Sequence, residues 1–340
     1  MIFIINGLKK SLLLVIFIIL IITGIITGCS RQQKTIQIGY NSWIGYEAII
    51  IAEKNNFFKN ENVNVELHHF SSLYDVMRAF ADGKIDMMFS TTNEAILLAD
   101  KGHKLKIILV TDYSYGADNI VAQKNIKSIK NLKGKKVGVE VGSISHFTLL
   151  KALKKAGLSE NDIQLVNVSS QEALVKFTEH SLDAIATWSP FTYDAIKSGG
   201  HIIFSSREVP GEIIDIVSAR SSLINDYPNE CLKIITAYLK TLDWFDKNLN
   251  EGLNIISKSY KIDPSIIAED LKNVQLLNAQ ENLTAFGTPQ SKGSLYPATQ
   301  KLISFLYQHE FISQNLNAND LIDPNFVWDY KNKYDEHYSR

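Results

Sequence analysis

The sequence predicts an α/β protein built as two similar lobes, and three observations predict it. From Ile36 to Phe204, short apolar runs alternate with stretches whose apolar residues recur at helical spacing, the pattern of βα units around a parallel sheet. The alternation breaks at Asp112-Tyr113-Ser114-Tyr115-Gly116-Ala117-Asp118, which is polar and glycine-containing, and then restarts. An internal echo links the halves: Gly83 to Ser90 and Ser181 to Thr187 each place an Asp (Asp86, Asp183) just before an apolar strand that ends on a hydroxyl residue.

The chain opens on an address. Lys9 and Lys10 precede an uncharged apolar run from Ser11 to Ile26, the layout of a secretory signal. The run ends in Ile26-Thr27-Gly28-Cys29, which resembles a bacterial lipoprotein signal whose cysteine is lipidated and becomes the new first residue. The run is also nearly long enough to span a bilayer, so a retained anchor is the competing reading; small Thr-Gly before Cys29 favours cleavage. Ser30 after the cysteine would direct the protein to the outer membrane of a two-membrane cell. Either way the body lies outside the cytoplasm. Residues 29 to 34 form a short polar tether.

The body then follows in order. Ile36 to Tyr40 reads as a strand, Asn41 to Tyr46 as an aromatic loop, and Glu47 to Asn55 as a helix. Strands are expected at Val63–Leu67, Ile85–Phe89 and Leu105–Val110, with helices at Leu73–Ala81 and Asn93–Asp100 between them. After the break come Ile120-Val121-Ala122, then Lys136–Glu140, a β-branched run ending in the Gly142-Ser143 turn. That turn supplies a helix N-cap for Ile144–Leu153. Strands at Ile163–Val168, Ala184–Thr187 and His201–Phe204 continue the alternation, with helices at 171–179 and 191–197. Ser205 to Gly211 reads as a return crossing and Ile213–Val217 as a strand going back to the first lobe. From Asn225 the chain is expected to be mainly helical, without strand partners of its own, and to cover the first lobe. The expected division is therefore 35–116 with 212–340 as one lobe and 117–211 as the other.

Composition narrows the function. The length of 340 residues suits two domains, and 45% hydrophobic with 21% charged residues describes an ordinary globular core. A net charge of −1 and the absence of a Lys/Arg-rich tract give no hint of nucleic-acid binding. With Cys29 lipidated, Cys231 stands alone in an apolar run, so neither a disulfide nor a metal-type cysteine cluster is expected. His68-His69 lacks ligand-type spacing and reads as surface strand.

These residues resemble a family. The Gly39-Tyr40-Asn41-Ser42-Trp43-Ile44-Gly45-Tyr46-Glu47 start, the Gly-x-Ile-Asp strand, the run from Asn131 to Gly138 and Gly142-Ser143 are similar to substrate-binding proteins of ABC importers of the nitrate/sulfonate/taurine class. The resemblance covers about residues 35 to 310 and extends to thiamine-pyrimidine-precursor binding proteins. It implies the periplasmic-binding-protein-like type II fold, two α/β lobes joined by a two-crossing hinge. It also implies a monomer that hands a small-molecule solute to a membrane permease driven by a cytoplasmic ATPase, with no cofactor. The enzyme relatives of the fold resemble pyrimidine synthases and would need a Cys-rich iron motif, which two cysteines cannot supply. A ligand sensor for a separate receptor is the third reading.

In an open α/β sheet the ligand sits beyond the C-terminal ends of the strands. That rule selects Trp43 and Tyr46, then Ser90, Thr91 and Thr92, then Asp118, Ser143, His146, Trp188 and Asp215. Two tryptophans with Asp118 and Asp215 suit a cation, whereas Ser143 and its helix N-terminus suit an anion; a zwitterion or polar amine satisfies both. No Arg occurs in these loops, which argues against an anion held by a bidentate guanidinium. Each residue also has a structural reading: Trp43 and Trp188 as core caps, Asp118 as a turn-fixing carboxylate, Asp215 as a hinge-pairing group, His146 as a packed histidine, and Asp86 and Asp183 as strand-start residues.

Overall fold

The structure is a computed structural model that describes residues 34–288 and 291–338; the predicted signal and Cys29 lie outside the described residues. Two sheets carry the fold. The first uses β1 (Thr35–Asn41), β2 (Asn64–Phe70), β3 (Met87–Thr91) and β4 (Leu105–Ser114). The second uses β5 (Asp118–Ala122), β6 (Lys136–Val139), β7 (Gln164–Asn167), β8 (Ala184–Trp188) and β9 (His201–Ser205). The chain then returns to the first sheet with β10 (Ile214–Arg220) and β11 (Val274–Leu276). The strand orders are β11-β4-β10-β3-β1-β2 and β7-β6-β8-β5-β9.

The sheets are mixed, not parallel as the alternation suggested. β1 pairs parallel with β3, and β6 with both β7 and β8, whereas β10 runs antiparallel to β3 and β4, and β5 antiparallel to β8 and β9. The reason is the crossing. Strands delivered by a helix all finish at one end of their sheet, and a strand entering straight from the other sheet starts at that end and must run the opposite way. Both crossings also sit side by side: Ser114 Oγ and Ser206 Oγ lie 2.9 Å apart, and Gly116 N donates to Ser206 Oγ at 2.6 Å. Gly116 has φ +123°, and a Cβ there would meet the Arg207 side chain at 2.6 Å, so the close approach requires glycine.

The echo between the halves has a shared structural cause. Gln37 N donates to Asp86 Oδ2 (3.0 Å), and Lys136 N donates to Asp183 Oδ2 (2.9 Å). Each carboxylate clips the start of its own strand to the neighbouring parallel strand in the same way.

Helices pack around these sheets. Among them are α1 (Ala48–Lys54), α2 (Leu73–Ala81), α3 (Thr92–Asp100), α4 (Ile144–Lys155), α5 (Ser170–Thr178) and α6 (Phe191–Lys197). The C-terminal half adds α7 (Pro228–Lys247), α8 (Leu249–Tyr260), α9 (Pro264–Leu271), α10 (Ala279–Phe286), α11 (Leu295–Gln308) and α12 (Asn325–Tyr338). The largest apolar core lies on the first sheet and includes Cys231 and Tyr238 of α7. The second sheet carries a smaller apolar cluster on each face, one with Leu149, Leu153 and Phe204, the other with Phe177, Leu182 and Ala195.

The C-terminal half does contribute a strand, contrary to expectation. Val274-Gln275-Leu276 pairs antiparallel with Ser114-Tyr113-Asp112 at the edge of the first sheet. Three residues between two helices are too short to show a period of two. β4 likewise runs through the predicted break as far as Ser114, because Asp112 and Ser114 are buried in the sheet by β10 and β11 rather than exposed in a loop.

Candidate functional site

The strand ends of the two sheets meet across a cleft with an inner and an outer part. The inner pocket has a volume of about 20 Å³ and is lined by Asn41, Trp43, Tyr46, Leu73, Thr91, Asp118, Ile144, Trp188, Ile213 and Asp215. It opens past Leu73, Ile144 and Trp188 into an outer cavity of about 410 Å³.

Sheet register builds the inner floor. Asp215, at the start of β10, pairs with Thr91 of β3 on one side and Asp112 of β4 on the other, which sets the three in one row. Asp118, at the start of β5, pairs with Trp188 at the end of β8. Tyr46 Oη donates to Asp215 Oδ1 at 2.5 Å. Trp43 Nε1 donates to Asp112 Oδ1 (3.1 Å), and Thr111 Oγ1 donates to Asp112 Oδ2 (3.1 Å). The Trp43 and Trp188 rings meet edge to face across the cleft, 6.0 Å between centroids.

The three aspartates are buried, at 0 to 2% exposure. Burial pushes the Asp118 carboxyl up to about 6, against a hydrogen bond from Ser114 that favours its charged form. Burial raises Asp112 and, still more, Asp215, and the neighbouring carboxylate charge pushes Asp215 further in the same direction. Three polar oxygens in this floor have no hydrogen-bond partner in the protein: Asn41 Oδ1, Asp118 Oδ2 and Asp215 Oδ2. Buried acceptors normally find a donor, and leaving one unmet costs about 1–3 kcal/mol.

The outer cavity has different chemistry. Ser72, Ser143 and Ser169 line it and cap α2, α4 and α5, accepting from the backbone N–H of Asp75, His146 and Glu172. Three helix N-termini thus converge there, each carrying partial positive charge. Asp75, Glu94 and Glu140 share the lining, and burial raises the Glu94 and Glu140 carboxyls. Among the described residues no lysine, arginine or histidine lines either cavity. Asn93 Nδ2 donates to the Gly142 carbonyl at 3.0 Å, tying the two sides of the cleft together.

Of the residues chosen from sequence, Trp43, Tyr46, Thr91, Asp118, Trp188 and Asp215 line the inner pocket, and Ser143 with Trp188 lines the outer cavity. Three do not line the cleft. Ser90 precedes Thr91 in β3, where successive side chains alternate faces, and Thr92 starts the buried face of α3. His146 lies behind the turn: it accepts from Gly142 N (3.2 Å) and its ring packs on Phe311 at 5.2 Å, with Glu160 3.4 Å away. Sequence reasoning missed Asn41, Asp112, Glu94, Glu140, and the serine pairs Ser71-Ser72 and Ser169-Ser170. The same strand-end rule, applied after β2 and β7, selects both serine pairs.

Among the described residues no helix is long and apolar enough to cross a membrane, and no group of three His, Cys, Asp or Glu side chains could hold a metal ion.

A two-sheet body with its strand ends facing one cleft defines a periplasmic-binding-type architecture, and the chain belongs to the NMT1-like family, whose family model matches residues 30–254. It is 27% identical over 97% of its length to a putative aliphatic sulfonates-binding protein of Bacillus subtilis, covering 98% of that protein. Its fold is similar to the aliphatic sulphonate binding protein SsuA of Escherichia coli (TM-score 0.72, 18% identity, 87% of this chain and 100% of that one). It is also similar to the alkanesulfonate-binding protein SsuA of Xanthomonas axonopodis pv. citri bound to MOPS (TM-score 0.71, 16% identity, 85% and 98%).

Proposed function

We propose that this chain is the extracytoplasmic solute-binding component of an ABC importer, which captures a small polar organic solute between its two sheets and delivers it to a permease without transforming it. The observation that carries the reading is the cleft: one cavity lined by strand ends of both sheets, whose buried floor holds polar atoms with no partner in the protein. A relative named for sulfonate binding, matched over nearly its whole length, supports the same reading.

Capture works by closure. The lobes are 35–116 with 212–340, and 117–211, and the paired crossings at Tyr115–Ala117 and Ser206–Ile213 bend while each sheet stays rigid. Solute contacts made to both lobes favour the closed state, in which Trp43 and Trp188 cover the inner pocket. Lipid on Cys29 holds the monomer at the membrane, with more than one acyl chain for stable anchoring.

A thermal-shift panel of amines, zwitterions and sulfonates on the purified protein tests capture. A true solute at a hundredfold excess over its Kd adds about 2.7 kcal/mol of stability. Turnover of a bound compound contradicts the reading. For the anchor, labelled palmitate is expected to enter the wild-type chain and not Cys29→Ala; an unlabelled wild type, or equal labelling of both, contradicts lipidation there.

A further inference from the structure

The inner pocket and the outer cavity differ in size and in the polarity they leave unmet. The inner pocket has room for about one water-sized group, since a cavity needs only about 10–15 Å³ of such volume to hold a water. Its buried unmet polar atoms are oxygens of Asn41, Asp118 and Asp215, each at most 2% exposed, and the two carboxyls act purely as acceptors once ionised. Two donors of this floor are already used, Tyr46 on Asp215 and Trp43 on Asp112, which leaves the side-chain amide of Asn41. The group that completes the ionised floor is small, brings several donors and carries positive charge. A metal ion answers the charge, but the carboxylates do not form a metal-holding group.

We infer that the solute enters with a protonated nitrogen foremost, and that its N–H groups bond Asn41 Oδ1, Asp118 Oδ2 and Asp215 Oδ2 beneath the Trp43–Trp188 pair. This deepens the capture reading and rests on it. An ammonium matches the pocket in size, in donor number and in charge; an amidinium edge supplies the same donors. A sulfonate matches none of these: it is larger, offers only acceptors and brings negative charge onto three buried carboxyls.

The test is a tryptophan-fluorescence titration of the full chain with four probes: taurine, ethanesulfonate, phenethylammonium and benzamidinium. Taurine and ethanesulfonate share their sulfonate and differ in the ammonium. The expected result is binding by at least one probe bearing a protonated nitrogen and none by ethanesulfonate. For the bound probe, Asp118→Asn and Asp215→Asn each raise Kd at least tenfold at pH 8, and the gap narrows at pH 5, where the wild-type carboxyls hold protons. Thermal midpoints of the two variants at or above wild type at pH 8 separate lost binding from lost folding, because neither removes a satisfied charge pair. Ethanesulfonate binding as tightly as taurine overturns the inference and leaves the capture reading standing, as does unchanged Kd in both variants. Failure of all four probes overturns both.

Discussion

The inner and outer parts of the cleft are made from the same kind of element, the end of a strand, and both carry carboxyls, yet only the outer part is also ringed by helix N-termini. In the inner part the strands that arrive directly from the other sheet, β5 and β10, place their first residues there, and both bring an aspartate: Asp118 and Asp215. In the outer part the strands are followed by helices, whose N-termini open on the cavity through Ser72, Ser143 and Ser169. A helix start offers N–H groups; a crossing strand offers whatever side chain it carries. The architecture thus fixes the donor character of the outer part, while the inner part is free to be acidic. Sulfonate-named relatives and an acid-floored pocket are compatible on one fold for that reason.

The comparison can be broken by substitution, and the largest effects should fall in the inner part. Trp43 is buried in the main core and also walls the pocket, so Trp43→Ala is expected to cost about 3–5 kcal/mol in urea unfolding. Trp188→Ala, at a half-buried residue, should cost clearly less stability while still weakening solute binding. Equal stability losses at the two would show that the inner wall is not the better packed.

Gly45→Ala probes the floor directly. A Cβ there would sit 1.9 Å from Asp112 Oδ2 and 2.7 Å from Trp43 Nε1, so both must move and their hydrogen bond is lost. The expected cost is about 1–3 kcal/mol, with reduced solute affinity measured alongside. At Gly142, on the outer side, nothing lies within 4 Å of an added Cβ, but φ is +84°. Gly142→Ala should therefore cost about 1–2 kcal/mol from backbone strain alone.

The acidic floor of the ligand-free protein should contribute less stability as pH rises. Asp118 in the folded state titrates at about 6 against an ordinary 3.8, so the folded protein holds a proton that the unfolded chain gives up. Its contribution falls as pH climbs from about 3.8 through about 6, and the raised Asp112 and Asp215 carboxyls act with the same sign. His69 and His146, lowered by burial, act in the opposite sense, so the test is the difference: between pH 5 and pH 8 the thermal midpoint of wild type should fall relative to that of Asp118→Asn. A difference between the two that stays constant over that range would contradict the acidic floor.

The smallest effects belong to the outer part. Ser169→Ala removes a cap and is expected to cost about 1 kcal/mol. Asn93→Ala removes a hydrogen bond across the cleft and should cost about 0.5–1.5 kcal/mol, with a larger share of open molecules in small-angle scattering.

Much of this was legible in the chain. The apolar alternation gave most strands and helices to within a few residues, and the strand-end rule reached both tryptophans, Tyr46, Asp118, Ser143 and Asp215. The misses share a cause in pairing that only the folded sheet reveals. Asp112 looks like the first residue of a loop because it follows an apolar run, yet β10 and β11 flank it on both sides. The antiparallel sense of β5 and β10 follows from where the chain crosses, which local periodicity does not encode. His146 is chosen by its place in the first turn of α4, but the helix turns that position toward Phe311 and away from the cleft.

The central claim, that the cleft floor awaits a positive group, is tested most directly by counting protons on binding. Isothermal titration of the tightest-binding solute at pH 6, in buffers of different ionisation enthalpy, gives that count. A cation lowers the raised carboxyl pKa values, so net proton release is expected. Net proton uptake would mean that negative charge has entered beside Asp118 and Asp215, and would contradict the account.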